Sequence, residues 1–360
     1  MFELRPFDKS APYPGPTAQV TAVHTVVRDG WYNAFTDLIF WKDYYWLAYR
    51  RGISHNAANG VVVVLRSVDL RRWHEVKVFN NPNGMRGGQR KGLQDGHFCD
   101  AGDRLFLFYD SREPLGMFVS WTDNGGDWSP AQATRMAGGG SDVQPYTWHV
   151  RSFDGRFHSA VCLEEGPLDL IVSDDGVSWS GEAQIGPDPN PGEGFYTEES
   201  DLYRRTDGQM WCVVRTVGGT RLFWSDPPYA RWHGNLKISM CDAPVMCELD
   251  GQMYIAGRCQ APRFWEAQDH RAYPQGSTGL FHLTQEGSLL LVGFPAGGDA
   301  SYPGLVSTEP GKLVLAYYSD VAYWTGLIKP RSYPEYRYKQ TDCDIYVAQI
   351  DVHVPDGQGK

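Results

Sequence analysis

Short apolar or alternating stretches recur along the chain, and each is interrupted by a tight turn. Each unit reads strand, turn, strand, with Asp or Gly at the turn, where a positive φ angle is needed. The six turn residues are Asp43, Asp103, Gly155, Gly208, Gly251 and Gly311. Successive turn residues are 60, 52, 53, 43 and 60 positions apart. The pattern therefore predicts six copies of one hairpin-based unit running along the whole chain.

A second turn signal follows the hairpin in the first four units, where a turn containing Ser, Asp or Gly is closed by Trp. An Asp side chain in such a turn can accept bonds from the turn amides while the indole covers the hairpin. The four segments are RSVDLRRW (66–73), WTDNGGDW (121–128), SDDGVSW (173–179) and SDPPYARW (225–232). Four-stranded units that repeat about every 40–60 residues predict an all-β chain folded as a six-bladed β-propeller.

The predicted propeller occupies the chain from 1 to 360 as a single domain. The expected blades are approximately 30–80, 93–132, 146–185, 199–236, 242–292 and 302–352. The strand at 17–28 is expected to pair with the one at 344–352. This pairing closes the ring, because joining both ends of the chain in one sheet removes free sheet edges.

Composition narrows the class of protein. The chain has 40 Gly, 23 Pro, 13 Trp, 20 Tyr and 16 Phe, and only 21% of its residues are charged. The apolar and aromatic content excludes a disordered chain, and the frequent turn residues exclude a helical bundle. A net charge of −10 without a basic run argues against nucleic acid and anionic membranes as partners. Assembly into an oligomer is left open.

Signals for targeting, disulfides and cofactors are weak. The sequence has no run of 18 apolar residues, and its first residues, MFELRPFDKSAPYPGP, lack the apolar core of a secretory signal. A cytoplasmic location is therefore expected, although a secreted form without its signal would look similar. The seven cysteines form no CxxC pair and are expected to be buried free thiols. No cofactor and no metal-binding cluster is predicted, and structural calcium is left open.

Equivalent positions of the six hairpins are expected to form rings around the central channel. Nine residues before each turn residue lie Ala34, Gln94, Tyr146, Glu199, Asp242 and Tyr302. Seven residues after it lie Arg50, Asp110, Cys162, Arg215, Arg258 and Tyr318. Both rings should lie at the same end of the hairpins, because one strand leads to the turn and the other returns from it. The arginines there either pair with carboxylates and stiffen the ring or bind an anionic ligand.

Two segments, TEESDLYRRTDGQMWCVVR (197–215) and ASYPGLVSTEPGKLVLAYY (300–318), resemble blades of the sialidase superfamily. The turns at Asp69, Asp123 and Asp174 resemble degenerate forms of that superfamily's Asp-box. The resemblance covers nearly the whole chain at the level of architecture. It implies a six-bladed glycoside hydrolase.

The resemblance also implies roles for four residues. Tyr302 resembles the family's tyrosine nucleophile, and Glu199 resembles the glutamate that activates it. Arg215 and Arg258 resemble two of the three arginines that hold the substrate carboxylate. A phenol is a neutral nucleophile, so it can approach an anomeric centre beside a carboxylate without like-charge repulsion, and a nearby carboxylate can take its proton.

The chain departs from the family in blade one. The family's first carboxylate-binding arginine belongs to an Arg-Ile-Pro strand, whereas the corresponding strand here, NAFTDL, carries Asn33 and Asp37. Arg50, on the next strand, is the predicted substitute. The general acid is assigned to His55, in the loop where the family has an aspartate, with Asp37 and Asp95 as competing acids.

Further features favour a carbohydrate ligand. Blade three opens with YTWHVR (146–151), where aromatic faces can stack on sugar C–H surfaces and polar groups can form hydrogen bonds. The aromatic-rich segments 259–276 and 320–341 are expected to form walls of the pocket, with partner contacts as their alternative use. The predicted substrate-binding residues are Arg50, Arg215, Arg258, Asn33, Trp148, His149, Arg151 and Asp242.

Three functions remain open at this point. The first is an exo-acting glycoside hydrolase that cleaves a terminal acidic sugar, with Tyr302 and Glu199 as the nucleophilic pair. The second is a polysaccharide lyase that acts on a uronate-containing linkage with His or Tyr as its base, and for this reaction His55, His97 or His149 would matter. The third is a propeller that binds carbohydrate without turnover.

Overall fold

The computed structural model shows six β-sheets arranged as the blades of a propeller. It describes residues 15–55, 57–82, 92–112, 115–137, 144–162, 166–186, 195–216, 219–259, 277–296, 300–324 and 342–355. The all-β, six-bladed fold predicted from the hairpin repeat is confirmed. Within the described part of the chain, no helix has the length and apolar character that a membrane crossing needs.

The first strand, β1 (Thr17–Val27), belongs to the last blade, and the other strands follow in chain order. Blade one contains β2 (Tyr32–Trp41), β3 (Tyr44–Gly52), β4 (Val61–Ser67) and β5 (His74–Phe79). Blade two contains β6 (Leu93–Asp100), β7 (Leu105–Arg112), β8 (Leu115–Thr122) and β9 (Gln132–Ala133). Blade three contains β11 (Arg151–Phe153), β12 (Arg156–Cys162), β13 (Leu168–Ser173) and β14 (Ser178–Gln184), with β10 (Arg135–Met136) parallel to β14.

The remaining blades follow the same order. Blade four contains β15 (Phe195–Arg204), β16 (Met210–Thr216), β17 (Gly219–Ser225) and β18 (His233–Ile238). Blade five contains β19 (Asp242–Leu249), β20 (Gln252–Cys259), β21 (Ser277–Thr284) and β22 (Gly287–Phe294). Blade six contains β23 (Ala300–Glu309), β24 (Lys312–Ser319), β25 (Asp344–His353) and β1, with a short helix α1 (Val321–Trp324) after β24. The first strand of each blade lies at the channel, and β1 pairs antiparallel with β25, which is the closing pair expected from the sequence.

The strands show the burial that their position in a blade requires. The outermost strand β1 alternates between exposed and half-buried residues, because only one of its faces is covered. The strand β4, with the sequence VVVVLRS, lies inside blade one and is almost continuously buried. Among the described residues, buried apolar side chains form six clusters, and each cluster mainly joins two neighbouring blades. The faces between blades therefore form the core.

Five of the six predicted turn residues have the positive φ angle that the sequence pattern requires, whereas in blade two Gly102 has it and Asp103 does not. Lys42 and Asp43 both have positive φ angles, of 47° and 65°. The pairs Asp154–Gly155 and Asp250–Gly251 repeat this conformation. Two consecutive positive φ angles are the mark of the type I′ turn, whose twist matches that of the flanking strands.

The outer turns also repeat, but with a different capping residue from the one predicted in two blades. Asp69 accepts bonds from the Arg71 and Arg72 amides, as expected. In blades two and three the equivalent acceptors are Asn124 and Asp175, one position after the predicted Asp123 and Asp174. The reason is the spacing from a preceding hydroxyl residue, since Ser67, Thr122 and Ser173 all stand two positions before the acceptor.

Asp123 and Asp174 instead contact the neighbouring hairpin of their own blade. Arg104 Nε lies 2.7 Å from Asp123 Oδ1, and Arg156 Nε lies 3.0 Å from Asp174 Oδ1. Both pairs are solvent-exposed and contribute little to stability. The seven cysteines are unpaired and all but one, Cys162, are buried, which agrees with the prediction of free thiols.

Candidate functional site

In two hairpins, the strand register sets members of the two predicted rings opposite each other. Strand pairing places Ala34 opposite Arg50 and Asp242 opposite Arg258. In five blades the register between the first two strands shifts near this end, which marks a β-bulge. The shifts lie at Ala34/Asp37, Leu93/Gly96, Phe195/Ser200, Asp242/Val245 and Ser301/Gly304. Bulges redirect side chains, and here they do so at the mouth of the channel.

Several bulged residues adopt a left-handed backbone conformation without being glycine. The φ angles are 55° at Phe35, 51° at Ala243, 90° at Ser301 and 45° at Tyr302. Such conformations cost about 1–3 kcal/mol each and persist only where the surrounding packing holds them. The Phe35 ring packs on the Tyr302 ring with centroids 4.9 Å apart. The strained positions therefore converge on Tyr302.

Tyr302, Glu199, Arg215, Asp242 and Arg258 form a connected group, which we call the mouth cluster. Tyr302 donates its hydroxyl proton to Glu199 Oε1 over 2.7 Å, although the two residues are 103 positions apart. Arg215 Nη1 donates to the same oxygen over 2.6 Å, and Arg215 Nη2 lies 3.2 Å from Asp242 Oδ2. Blades four, five and six thus each contribute to one hydrogen-bonded network.

The carboxylate of Glu199 is held at both oxygens. The amide of Ala243 donates to Oε2 over 2.6 Å, and the left-handed conformation of Ala243 directs that amide at Glu199. Glu199 is almost completely buried, whereas 25% of the Arg215 side chain is exposed. A carboxylate fixed in this way is aimed at the Tyr302 hydroxyl, while the arginine beside it still reaches solvent.

Arg258 occupies the other side of Tyr302. Its Nε donates to the Ala300 carbonyl over 2.9 Å, and its Nη2 donates to the Tyr318 hydroxyl over 3.1 Å. The guanidinium carbon lies 4.9 Å from the centre of the Tyr302 ring, a cation–π distance. Tyr302 is therefore flanked by two arginines.

The charges in the mouth cluster set its protonation. Burial raises the pKa of Tyr302 well above its usual 10, and the Glu199 carboxylate raises it further while Arg258 opposes the shift. Burial lowers the pKa of Arg215, but the carboxylates of Glu199 and Asp242 outweigh it and raise that pKa above its usual value. Tyr302 is therefore a neutral phenol at rest, hydrogen-bonded to a carboxylate that can accept its proton.

Arg50 lies in the wall of the channel and not in the mouth cluster. It is fully buried, and its three guanidinium nitrogens donate to carbonyls of Leu93, Ser54 and Ala57 over 2.9, 2.7 and 3.1 Å. The lack of a side chain at Gly60 makes room for the guanidinium, since a Cβ there would lie 2.6 Å from Arg50 Nη2. Burial lowers the pKa of Arg50 to about 10. Arg50 thus stabilises a loop, and a ligand at the mouth does not reach it.

The three candidate acids lie at different depths. A hydrogen bond of 2.8 Å joins His55 Nδ1 to the Tyr32 hydroxyl. The His55 ring packs edge-on against Phe35, with ring centroids 4.9 Å apart. Asp95 is buried, and its charge acts on the pKa of Tyr302. Asp37 lies deeper and accepts bonds from the Leu38 and Phe98 amides. His55 and Asp95 therefore flank the mouth, whereas Asp37 faces the channel.

Of the remaining predicted substrate contacts, Trp148 and Asn33 are buried, whereas 23% of the Arg151 side chain is exposed. Trp148 packs on Tyr302, with ring centroids 5.5 Å apart, and is 1% exposed. Arg151 forms a bidentate ion pair with Asp201 below the mouth, at 2.8 and 2.7 Å. The Asn33 side chain donates to Asp29 Oδ1 and to the carbonyls of Trp31 and Cys343. Trp148 thus supports Tyr302 from below, and the predicted walls at 260–276 and 325–341 lie outside the described residues.

The sequence pattern drew attention to Asp37, His97 and His149 separately, but it did not predict that their side chains form one group. Asp37, His97 and His149 bring one ligand atom each to within 4.8 Å of the others, and all three are buried. We call them the channel triad. All three stand six residues before the turn residue of their hairpin, in blades one, two and three. Comparison of that position across the hairpins was the signal that could have revealed them.

Comparisons with known proteins agree with this architecture. No protein-family model matches the sequence, and no curated protein matches it at a significant level. A solved structure of a protein of unknown function from Dyadobacter fermentans matches with a TM-score of 0.73 at 16% identity, covering 94% of this chain and 100% of that one.

Two sialidase structures also match. The Trypanosoma rangeli sialidase in complex with the inhibitor DANA gives a TM-score of 0.59 at 8% identity, covering 92% of this chain and 58% of that one. The intramolecular trans-sialidase from Ruminococcus gnavus, in complex with oseltamivir carboxylate, gives 0.58 at 12% identity, covering 89% and 94%. At these identities the likeness is one of fold. The chain therefore has the six-bladed propeller fold found in sialidases, as a divergent example of it.

Proposed function

We propose that the protein is a retaining exo-glycosidase that removes a terminal, carboxylate-bearing sugar from a glycan. The observation that carries this proposal is the hydrogen bond of 2.7 Å from the Tyr302 hydroxyl to Glu199, flanked by Arg215 and Arg258. A buried phenol bonded to a fixed carboxylate is an arrangement suited to nucleophilic catalysis. Its fold is shared with sialidases, which act on an acidic sugar by such chemistry.

The reaction begins with binding of the sugar carboxylate. Arg215 bonds to the same Glu199 oxygen as Tyr302, Arg258 lies against the Tyr302 ring, and a guanidinium matches the two oxygens of a carboxylate. Because Arg50 is buried against carbonyl groups, two arginines and not three hold the substrate in this proposal. We therefore expect an acidic sugar that need not be sialic acid.

Two displacements then follow. The Tyr302 oxygen attacks the anomeric carbon while its proton passes to Glu199 Oε1, and the glycosidic C–O bond breaks as a general acid protonates the leaving oxygen. Water next attacks the same carbon and gives one proton to the conjugate base of the general acid, while the Tyr302 oxygen leaves and takes back the proton held on Glu199. Two inversions at one centre give net retention. Asp95 and His55 are the residues placed for the acid role, since they flank the mouth.

The site gives less support to a lyase. Of the three histidines considered as bases for that reaction, His97 and His149 are buried beneath Trp148 and are shielded from a polysaccharide at the mouth. Among these histidines, only His55 retains a position from which a base could act.

The test is a product analysis with chromogenic glycosides of acidic sugars and with natural acidic glycans. We expect release of a free acidic monosaccharide by the wild-type protein. Release of an unsaturated uronate that absorbs ultraviolet light would show that the protein is a lyase and not a hydrolase. Saturable binding of acidic sugars with no product from any substrate would show a binding protein instead of an enzyme.

A further inference from the structure

The channel triad is buried directly beneath the mouth cluster. Asp37 lies on β2, His97 on β6 and His149 two residues before β11, so each blade from one to three supplies one member. The three are 4%, 4% and 3% exposed. Trp148 separates the triad from Tyr302, with its ring 4.7 Å from that of His97. The triad is therefore distinct from the proposed site of glycoside cleavage.

His97 is the member that packing does not explain. Among the described residues, no hydrogen-bond partner reaches either ring nitrogen of His97, although both are buried. Leaving a buried polar group without a partner is costly, and native proteins rarely do so without a reason such as an ion at the site. An aromatic ring without nitrogens would fill the same space at lower cost. The two nitrogens therefore point to a ligand.

The other two members complete a coherent ligand set. The His149 ring lies 4.4 Å from that of His97. Two imidazole rings this close together offer two nitrogen ligands to one ion. The Asp37 carboxylate accepts amides of Leu38 and Phe98 at 2.9 and 2.6 Å, and such outer bonds orient a ligating carboxylate.

The surrounding charges leave room for a cation. Arg151 is the nearby positive group, and the bidentate pair with Asp201 offsets its charge. Among the described residues, no arginine or lysine forms an ion pair with Asp37, the carboxyl group of the triad. A divalent ion would therefore lower the free energy of this buried site.

We propose that Asp37, His97 and His149 bind one divalent transition-metal ion, with Zn²⁺ as the first choice. Two imidazoles and one carboxylate suit zinc and its neighbours, whereas calcium and magnesium prefer oxygen ligands throughout. Tetrahedral zinc with bonds near 2.0–2.1 Å needs ligand atoms about 3.3 Å apart. The ligand atoms of the triad lie within 4.8 Å of one another, so binding of the ion requires them to move closer together.

Such an ion would join the inner ends of three blades at the channel. It would hold His97 against Trp148, and Trp148 in turn packs on Tyr302. The triad is thus a positioning element for the mouth, without contact with the sugar. The proposal does not depend on the proposed glycosidase activity, because metal binding and its effect on stability can be measured without a substrate.

The experiment measures metal content, affinity and melting temperature on the full chain. The protein is freed of metal by a chelator and then titrated with Zn²⁺, and Co²⁺ provides a spectroscopic signature of nitrogen and oxygen ligation. We expect one ion per chain and a melting temperature that rises on saturation. Wild-type protein that remains folded after chelation and binds neither ion would overturn the proposal.

Two variants locate the ion. His97→Phe preserves the ring that packs on Trp148 but removes both nitrogens, and we expect it to weaken Zn²⁺ affinity at least about a hundredfold. The matched control is His282→Phe in blade five, another buried histidine, which we expect to bind one ion with unchanged affinity. Equal affinity in His97→Phe and wild type would contradict the assignment.

Comparison of the wild type with His97→Phe also distinguishes a metal ion at the triad from a buried water bound to His97. If His97 only binds a water, His97→Phe should melt at the same or a higher temperature than the wild type. Added Zn²⁺ should then leave the melting temperatures of both proteins unchanged. If the triad binds the ion, the wild type alone shifts upward with Zn²⁺. His149→Phe gives an independent repetition, because it removes a second ligand from a different blade.

Discussion

The two halves of the propeller present their charged residues in opposite ways. On the side of blades four to six, Arg215 and Arg258 stand beside Tyr302 at the mouth, and a quarter of the Arg215 side chain is exposed. On the side of blades one to three, Arg50 and the channel triad are buried, and Arg50 is bonded to backbone carbonyls. Equivalent positions in a repeat thus carry a partly exposed arginine in one half and a fully buried one in the other.

The difference shows that an arginine's role follows from its partners and not from its ring position. Arg50 and Arg258 both stand seven residues after their turn residue. Arg258 lies against the ring of Tyr302, whereas the space left by Gly60 lets Arg50 turn inward. Substitutions in the two halves should therefore affect different measurements.

The largest expected effect is on the mouth. Tyr302→Phe removes the proposed nucleophile while keeping the ring that packs on Phe35 and Trp148, so kcat should fall by about 10³-fold or more. Tyr45→Phe is the matched control, because the Tyr45 hydroxyl contacts Thr308 far from the mouth. Steady-state kinetics with an acidic glycoside measure both. Full activity in Tyr302→Phe would remove the nucleophile from the account.

Glu199→Gln should come next. The amide side chain can still accept the Ala243 amide but accepts the Tyr302 proton poorly, so kcat should fall by about 10²–10⁴-fold. The melting temperature should also fall, because Arg215 loses a charged partner at 2.6 Å. A rate close to that of the wild type, in a variant with a normal circular dichroism spectrum, would rule out Glu199 as the proton acceptor.

Substitutions of Arg258 and Arg50 test the difference between the two halves of the propeller. Arg258→Lys should raise KM by about 10–100-fold, since a lysine cannot reproduce the planar fork that a carboxylate matches. Arg50→Lys should leave KM unchanged but lower the free energy of unfolding by roughly 2–4 kcal/mol, because buried carbonyls lose their donors. Kinetics and denaturant unfolding separate the two. The reverse pattern would place Arg50 in the ligand site.

The smallest effect concerns the outer turns, far from both halves of the channel. Asp175→Ala should cost about 1–2 kcal/mol of unfolding free energy, because the Val177 and Ser178 amides lose their acceptor. Asp174→Ala, at the neighbouring exposed residue, should cost close to nothing. Neither should change kcat or KM. Equal losses of unfolding free energy in Asp174→Ala and Asp175→Ala would support the sequence-based prediction that Asp174 caps the turn.

The same turn predicts a dependence on pH. Burial raises the pKa of Asp175, but bonds from the Ser178 and Val177 amides and the Ser173 hydroxyl outweigh it and hold the pKa below 3.8. The folded state therefore binds this proton less readily than the unfolded state. The contribution of Asp175 is present above pH 3.8 and is lost as the pH falls through the folded value. Unfolding curves of the wild type and Asp175→Ala should converge there.

The fold was predictable because it repeats, whereas the site was predictable only in part. Six like hairpins with turn residues at Asp43 through Gly311 suffice to predict six blades, since each blade must cover its neighbour. Sequence rings placed Tyr302 and Glu199 at one end of the hairpins. They could not show that Arg50 turns inward, because that depends on the space at Gly60, which belongs to three-dimensional packing.

The channel triad is a second feature whose position in the channel the sequence did not reveal. Asp37 and His149 were considered for roles at the mouth, because position along the strand does not reveal depth in the channel. The bulge between Ala34 and Asp37 changes which side chains of that strand face inward. Such irregularities are set by contacts between blades, and a single sequence does not display them.

The most direct test of the central claim is covalent trapping of the nucleophile. The protein is incubated with a fluorinated acidic glycoside that forms the glycosyl-enzyme readily but hydrolyses slowly, and its peptides are examined by mass spectrometry. We predict a single adduct on the peptide that contains Tyr302, and none in Tyr302→Phe. Turnover of the parent glycoside without any adduct on Tyr302, or with an adduct on another residue, would contradict the account.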